Sequence, residues 1–125
     1  MIFTAKTVTY PEKNERFFLK SLFKKKLVCI AHPLASDPPG NIEKAKKICC
    51  EIAVQHPDVI PICPLLTFSF FQDPKDRDRS FLYCLALLEQ CDELWLAGNW
   101  QNSLGCLREK KHAEELGMVV QEWVG

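Results

Sequence analysis

The feature that most constrains the fold is an alternation of short apolar runs with longer amphipathic segments, which begins at residue 27. The four apolar runs are Leu27–Ala31, Val59–Cys63, Glu93–Ala97 and Met118–Glu122. Short apolar runs bounded by turn residues are typical of buried strands. Helices between such strands imply parallel strands joined by right-handed crossovers. The sequence therefore predicts an α/β domain: a small Rossmann-like or flavodoxin-like parallel sheet with helices on both faces.

Three of the intervening segments predict helices. Asn41 is expected to cap the first one, after a turn at Asp37–Gly40, and Pro57 ends it at His56. Its inward face recurs at steps of three and four residues: Ile42, Ala45, Ile48, Cys49 and Ile52. The other two predicted helices are Phe81–Gln90 and Leu104–Leu116.

Three further segments of the sequence carry expectations. Pro61 indicates that the second strand lies at an edge of the sheet or ends there, because proline cannot donate a hydrogen bond. The helix Phe81–Gln90 is expected to face inward with four residues, Leu82, Leu85, Ala86 and Leu88. The connection Pro64–Asp78 is long and aromatic, and loops of this length are often functional.

Charge divides the chain into an N-terminal extension, residues 1–26, and a domain, residues 27–125. The extension carries seven Lys/Arg against two acidic residues, and the domain carries nine against fourteen. The extension has some strand character at Phe3–Tyr10 and a basic amphipathic pattern at Arg16–Lys26, which would either pack on the domain edge or contact a partner or membrane. The acidic domain excludes a broad nucleic-acid-binding surface, although backbone N–H groups can still bind a small anion.

The seven cysteines follow none of the spacings of a zinc site. No signal peptide or membrane-length apolar run accompanies them, so we expect reduced, mutually independent thiols in the cytoplasm. No metal or other cofactor, no nucleic acid and no membrane is expected as a partner.

In a sheet of this kind, ligands bind outside the carboxyl ends of the strands. That rule brings together three loops: Ala31–Gly40, Cys63–Asp78 and Ala97–Ser103. Ser103 stands where the last loop becomes a helix, so it can cap that helix while N–H groups of the first turn face an anion. Gly105 lets a ligand approach the backbone closely. Glu109 follows less than two turns later and is expected to face the same pocket.

The segment Ser103-Leu-Gly-x-x-x-Glu109, with Ala113 and Gly117 beyond it, resembles the signature of the nucleoside 2-deoxyribosyltransferase-like superfamily, which includes 2′-deoxynucleoside 5′-phosphate N-hydrolases. The run Val28–Pro33 followed by Asp37 and Asn41 resembles the superfamily's first strand, substrate loop and helix start. Cys91-Asp-Glu-Leu-Trp95 resembles its third strand. The likeness covers about residues 26–123 and is closest to an uncharacterised branch rich in phage and prophage proteins.

The resemblance implies that Glu109 attacks the anomeric carbon of a 2-deoxynucleoside or its monophosphate, with release or transfer of the base. It also implies that relatives often complete the pocket from a neighbouring subunit, so a homo-oligomer is possible. The predicted substrate-binding residues are His32, Pro33, Asp37, Asn41, Asp92, Asn99, Ser103 and Gly105.

One position departs from the superfamily pattern. Active members carry an Asp on the second helix, eight residues before the position of Asp92, and Cys84 stands there. A thiol does not replace a carboxylic acid in proton transfer unless its pKa is strongly perturbed. Two alternatives therefore stay open: a domain that binds a nucleotide, such as an NAD-derived ligand, without turnover, and a regulatory protein whose N-terminal arm recruits a partner.

Overall fold

The computed structural model describes Ala5 and residues 25–125, and the features predicted for residues 1–24 otherwise lie outside the described part. Strands and helices alternate through it. The elements are β1 (Lys26–Ala31), α1 (Pro38–Gln55), β2 (Val59–Ile62), α2 (Pro64–Thr67), α3 (Arg77–Glu89), β3 (Glu93–Leu96), α4 (Leu104–Glu115) and β4 (Val119–Glu122). Two single 3-10 turns, Pro74–Asp76 and Trp100–Asn102, precede α3 and α4.

The four strands form one parallel sheet in the order β2-β1-β3-β4. This confirms the predicted α/β class, and β2 lies at an edge as Pro61 indicated. Lys26 at the start of β1 pairs with Val59 and donates its N–H to the Asp58 carbonyl oxygen at 3.0 Å. The central strands β1 and β3 are the most buried, which explains why both read as continuous apolar runs.

Alternate residues of β1 belong to two different cores, one on each face of the sheet. Val28 and Ile30 pack with Ala45 and Ile52 of α1. On the opposite face, the core contains Cys29 and Ala31 of β1 and residues of α3, α4 and the neighbouring strands; these are Leu88, Cys91, Leu94, Leu96, Cys106 and Ala113. Because successive strand side chains point to opposite faces, β1 holds both layers together. Helices therefore cover both faces, as predicted.

The start of α1 differs from the prediction. The helix begins at Pro38, with Asp37 as its N-cap, whereas Asn41 was expected to cap it. Two prolines at the first two helical positions favour this earlier start, because those positions need no hydrogen-bond donor and the ring fixes a helical φ. The predicted turn Asp37–Gly40 is therefore the first turn of the helix. Its end at His56 is as predicted.

The segment between β2 and β3 also differs in detail. Part of the predicted loop Pro64–Asp78 forms α2 and a 3-10 turn, and α3 begins at Arg77 rather than at Phe81. Within α3, Leu88 is buried and Leu85 partly buried as expected, but Leu82 is 64% exposed and Ala86 is also exposed. The structure shows no helix within residues 25–125 that is both long and apolar enough to cross a bilayer.

Candidate functional site

The strand order places a topological switch point at the carboxyl ends of β1 and β3. The chain leaves β1 for β2 on one side and then returns to β3 on the other side of β1. The connections that follow β1 and β3 therefore run in different directions, and a switch point of this kind is the usual ligand position in open α/β sheets. The loops after both strands contain residues predicted from the sequence to bind a ligand.

His32 directly follows β1 and is only 7% exposed. Its Nδ1 lies 2.8 Å from the Pro33 carbonyl oxygen, so Nδ1 carries the hydrogen and donates it, which leaves Nε2 as an acceptor. Burial, together with nearby Lys44, holds the pKa of His32 below its ordinary value despite the Pro33 hydrogen bond. His32 is therefore a neutral acceptor at neutral pH rather than an acid.

Gly98 is what allows His32 to occupy this position. It follows the buried end of β3 with a φ of +62°, a left-handed conformation that favours glycine. A Cβ atom on Gly98 would lie 2.8 Å from Nε2 of His32. The loop after β3 thus approaches the loop after β1 with no room for a side chain. Pro33 beside them is buried.

The loop between β1 and α1 is held by Asn41, which is 6% exposed. Its side-chain amide donates to the Leu34 carbonyl oxygen at 3.0 Å and to Ser36 Oγ at 3.3 Å. Asp37 Oδ1 accepts a hydrogen bond from the Gly40 N–H at 3.3 Å. Through these hydrogen bonds, Asn41 and Asp37 stabilise the conformation of the loop. The Asp37 residue is itself exposed.

The two long helices that begin at this edge differ in what they offer an anion. In α1, Pro38 and Pro39 lack an N–H, and the N–H groups of Gly40 and Asn41 already donate to Asp37. No free donor is left in that first turn. The N-terminus of α1 is therefore unsuited to binding a phosphate through its backbone.

The N-terminus of α4 keeps its donors. Ser103 is its N-cap, and Ser103 Oγ accepts from the Cys106 N–H at 3.2 Å, as predicted for a capping role. The next amide, that of Leu107, donates to the Ser103 carbonyl oxygen at 3.0 Å. The amides of Leu104 and Gly105 precede any intrahelical acceptor and stay available to a ligand. A Cβ atom on Gly105 would lie 3.8 Å from Ser103 Oγ, which is an ordinary van der Waals distance. The backbone at Gly105 is therefore accessible to a ligand.

Glu109 lies on the face of α4 that packs against the sheet. The buried residues Cys106 and Ala113 lie three positions before it and four after it, which places Glu109 within the same stripe. Its Oε2 atom is buried, and no group in the described part of the chain donates a hydrogen bond to it. Burial, with a smaller contribution from Cys63, raises the pKa of Glu109 to about 8. The free protein therefore holds this carboxyl mainly protonated at neutral pH.

Glu109 and four cysteines affect one another electrostatically. The Glu109 charge acts on Cys29 of β1, Cys84 of α3 and Cys106 of α4, and Cys63 at the end of β2 acts on Glu109 in turn. Burial and, to a smaller extent, Glu109 raise the pKa of Cys84 to about 12. Burial likewise raises the pKa of Cys106 to about 12. Thiols with raised pKa values stay neutral at neutral pH, so neither Cys84 nor Cys106 balances a negative charge on Glu109.

The aromatic connection after β2 lies beside α3. Phe68 and Phe71 each contact the Tyr83 ring edge-on, with centroids 5.6 Å apart in both pairs. Phe70 is 68% exposed. Within the predicted loop Cys63–Asp78, this segment therefore contributes exposed aromatic surface rather than polar groups.

The last two predicted binding residues differ in position, because Asp92 lies away from this arrangement and Asn99 lies at the same edge of the sheet. Asp92 precedes β3, at the amino ends of the strands, and its Oδ2 accepts from the Leu27 N–H at 2.8 Å. Its own N–H donates to the Leu27 carbonyl oxygen at 2.8 Å, so Asp92 ties the start of β3 to β1. Asn99 is at the carboxyl edge but exposed, and its Oδ1 accepts from Asn102 Nδ2 at 3.0 Å.

The sequence reasoning did not identify the thiols as neighbours of Glu109 or Gly98 as the partner of His32. Cys106, Glu109 and Ala113 do follow helical spacing, so the pattern could have placed Glu109 on a buried stripe. The electrostatic effects that link Glu109 to Cys63 and Cys84 join residues far apart in sequence and leave no local signal. Within residues 25–125, no three His, Cys, Asp or Glu side chains are grouped to hold a metal ion.

A comparison with protein families finds one described as "Domain of unknown function (DUF7768)", which matches residues 26–123. No curated protein and no solved structure matches the chain. The matched residues include every element of the sheet and the whole candidate site.

Proposed function

The chain belongs to the DUF7768 family, and for this member we propose cleavage or transfer at the N-glycosidic bond of 2-deoxynucleosides or their monophosphates, with Glu109 as the nucleophile. The proposed substrate position is the switch point between β1 and β3, with the sugar between Glu109 and the N-terminus of α4. The assignment of the reaction type rests on the resemblance of the Ser103–Glu109 segment to the deoxyribosyltransferase-like signature.

The observation that carries the proposal is the buried, unpartnered Oε2 atom of Glu109. Burying a carboxyl group without a partner costs free energy, and native proteins retain few such groups. Strongly perturbed titratable groups concentrate at functional sites. A glutamate on the solvent-exposed face of a helix does not incur this cost of burial. Glu115 on the same helix is exposed in this way.

The proposed reaction has two steps. The Glu109 carboxylate attacks C1′, an ester bond forms, and the C1′–N bond breaks, so that the base leaves with the electron pair and takes up a proton from solvent. A water molecule, or the nitrogen of a second base, then attacks C1′, loses a proton to solvent and releases the carboxylate. A carboxylate nucleophile replaces one difficult displacement with two easier ones. Because the carboxylate itself forms the covalent bond, the scheme uses neither a metal nor another cofactor.

The other groups of the site fit parts of such a substrate. The free amides of Leu104 and Gly105 suit a 5′-phosphate, and at 1.5 Å per residue they lie about 7.5 Å and about 6 Å, respectively, along the helix axis from Glu109. Side chains on a helix lean toward its N-terminus, which brings the carboxyl closer to these amides. The neutral Nε2 of His32 would accept a hydrogen bond from a hydroxyl or base N–H. In this proposal the partner is a small molecule in the cytoplasm, not a nucleic acid or a membrane, and a second subunit could complete the pocket.

The test is release of free base from a panel of deoxynucleosides and their 5′-monophosphates. Glu109→Gln should abolish release but preserve binding, because the amide keeps the shape and cannot form the ester. Glu115→Gln, a change of the same kind on the exposed face of α4, should leave release unchanged. Retained release in Glu109→Gln would exclude the nucleophilic role.

The pH profile adds a second, independent readout. A nucleophile must be ionised, and the pKa of Glu109 is raised to about 8. kcat/KM should therefore rise about tenfold per pH unit below this value and level off above it. If Glu109 acted instead as a general acid, kcat/KM would fall above pH 8. The direction of the profile thus distinguishes the two roles.

A second candidate is a domain that binds a nucleotide, such as an NAD-derived ligand, without turnover. The observation that favours it is Cys84, which occupies the position of the superfamily's helical Asp and lies near Glu109. A thiol whose pKa is about 12 does not protonate a departing base at neutral pH. Saturable binding of nucleotides by calorimetry, with no base release from any of them, would favour this candidate.

A further inference from the structure

The helices cover the two faces of the sheet unequally. On one face, α3 and α4 pack over β1, β3 and β4. On the other face, α1 packs over β1 and β2, and the core beneath it reaches β3 only through Trp95 and the adjacent Ala97. Within residues 25–125, no helix covers β4 on this second face, where Val119 and Gln121 are exposed. We call the surface there the open face; its residues are Glu93, Val119, Gln121 and Trp123.

Burial falls steadily from the centre of the sheet to the open face. Val28 of β1 pairs with Glu93 of β3, which pairs with Val119 of β4. Across this row the exposed fraction rises from 0% at Val28, through a half-buried Glu93, to 53% at Val119. The next row on the same face repeats the trend, from 0% at Ile30 to an exposed Gln121. The layer that α1 forms therefore ends before it reaches β4.

Aromatic rings border the open face. The Trp123 and Trp95 rings are stacked, with centroids 5.9 Å apart and an angle of 4° between their planes. His56, at the end of α1, contacts both rings edge-on at 5.2 and 5.5 Å. Trp95 is only 6% exposed, whereas Trp123 is half-buried. The Trp123 indole therefore adds apolar area to the open face, and a partner packed there would remove this area from water.

The chain enters the sheet beside the open face. Side chains alternate along a strand, so Lys26 at the start of β1 points to the same face as Val28. Lys26 Nζ reaches across to β3 and donates to Glu93 Oε2 at 2.7 Å. The residues that immediately precede Lys26 therefore start next to the amino end of the open face.

The segment before this entry point, which lies outside the described residues, has the sequence pattern of an amphipathic helix. Its apolar side chains recur at steps of one and four residues, which places them on one side of a helix: Phe18, Leu19, Leu22 and Phe23. At 1.5 Å per residue, residues 16–23 would span about 12 Å, against about 13 Å for a four-residue strand. The segment therefore has the length and the apolar side that the open face requires.

The connection and the charges also fit this position. With only Lys24 and Lys25 between them, the Cα atoms of Phe23 and Lys26 can lie up to about 10 Å apart. Packed layers of secondary structure are separated by about the same distance, about 10 Å. Residues 1–26 carry seven basic against two acidic residues, and residues 27–125 carry nine against fourteen. The opposite net charges of the two parts attract each other.

We propose that residues 16–23 form a helix that packs its apolar side on the open face and completes the second helical layer of the sheet. A connection of two residues holds this segment at an effective concentration on the order of millimolar or above, which favours it over a second copy or an unrelated partner. The proposal is independent of the reaction proposed for Glu109, because α4 packs on the opposite face of the sheet.

The experiment introduces the photoreactive residue p-benzoylphenylalanine in place of Phe18 in the full chain, and the protein is irradiated in dilute solution. Trypsin then releases residues 17–20, which contain the photoreactive group, and residues 112–125, which contain β4. The expected product is an intramolecular cross-link between these two peptides, and fragmentation should locate it within residues 119–123. The same group in place of Phe17, on the opposite side of the predicted helix, should give little of this product.

Two matched substitutions test whether the open face is the docking surface. Val119→Lys should remove most of the cross-link, because the docked helix would bury an unpaired charge. Val124→Lys places the same charge beyond β4, on a residue that is 85% exposed, and should leave the yield unchanged. Both positions are exposed, so both variants should fold, which circular dichroism checks.

Several results would overturn the proposal. An unchanged yield in a folded Val119→Lys protein would show that the segment does not dock on the open face. A cross-link that maps to α3 or α4 would place the segment on the opposite face of the sheet. A cross-linked dimer would identify a second copy of the chain as the occupant. A folded protein that gives no cross-link would leave the open face without this partner.

Discussion

The buried carboxyl of Glu109 should make the stability of the protein fall as the pH rises. Its pKa is about 8 in the folded protein, against an ordinary value of 4.5 for an exposed glutamate. The sign follows from proton binding: between these values the folded chain holds a proton on Glu109 that the unfolded chain has lost. Because the folded state binds more protons, the free energy of unfolding decreases with increasing pH in this window.

The magnitude follows from the same two pKa values. One pKa unit corresponds to about 1.36 kcal/mol, so the slope is about −1.4 kcal/mol per pH unit well inside the window. Integrated between pH 5 and pH 8, Glu109 alone should lower the free energy of unfolding by about 3.5 kcal/mol, as an order of magnitude. For a domain whose total stability is about 5–15 kcal/mol, this is a large share.

The measurement is urea unfolding of the wild type and of Glu109→Gln at a series of pH values from 5 to 8. Glutamine is neutral throughout, so the variant should lose this part of the pH dependence and become progressively more stable than the wild type as the pH rises. Glu115→Gln, on the exposed face of α4, should follow the wild-type curve. If the difference between Glu109→Gln and the wild type stays constant with pH, the carboxyl is not held protonated and the reasoning fails.

Further substitutions test other features of the structure. Gly98→Ala and Gly117→Ala both place a side chain at a positive φ, which costs about 1 kcal/mol. Only the Cβ atom of Gly98→Ala also clashes with the His32 ring. The free energy of unfolding should therefore fall by about 1–3 kcal/mol more in Gly98→Ala than in Gly117→Ala. Asp92→Ala should lower stability by about 1–2 kcal/mol through the lost bond to β1, without weakening nucleotide binding; weaker binding in a folded variant would place Asp92 at the site after all. Cys84→Asp should raise base release by about 10²–10⁴-fold if a missing proton donor limits the enzyme, and no gain in a folded variant would contradict that.

Much of the fold could be predicted because its determinants are local. The apolar runs gave the four strands to within one residue at each end, and Pro61 placed β2 at an edge of the sheet. The start of α1 was wrong because Asp37-Pro-Pro-Gly40 fits both a turn and a helix N-terminus, and only the cap geometry decides between them. The inward face of α3 was partly wrong because Leu82 lies beyond the edge of the core.

The candidate site could be predicted less completely. His32 and Ser103 lie at strand ends as the α/β rule requires, and Ser103 caps α4 as expected. The surroundings of Glu109 depend on Cys63 and Cys84, which lie on earlier elements of the chain, far from Glu109 in sequence. Asp92 belongs to a recognisable sequence motif, but the motif does not indicate at which end of the sheet the residue lies. Its predicted position among the binding residues therefore did not follow from the sequence pattern.

The proline in β2 has a consequence for how this sheet meets other molecules. Lys26 donates to the chain of β2, and every second residue of a strand faces the same neighbour, so Val28 also faces β2. Pro61, which pairs with Val28, then turns its nitrogen toward the outer edge of the sheet that residues 25–125 form, where it has no hydrogen to donate. An extended peptide laid along that edge would lack a donor in the middle of the four-residue strand. The opposite edge, formed by Val119–Glu122, contains no proline. A further strand could therefore form an unbroken set of hydrogen bonds along that edge. The charged side chain of Glu122 at its end disfavours the addition of such a strand.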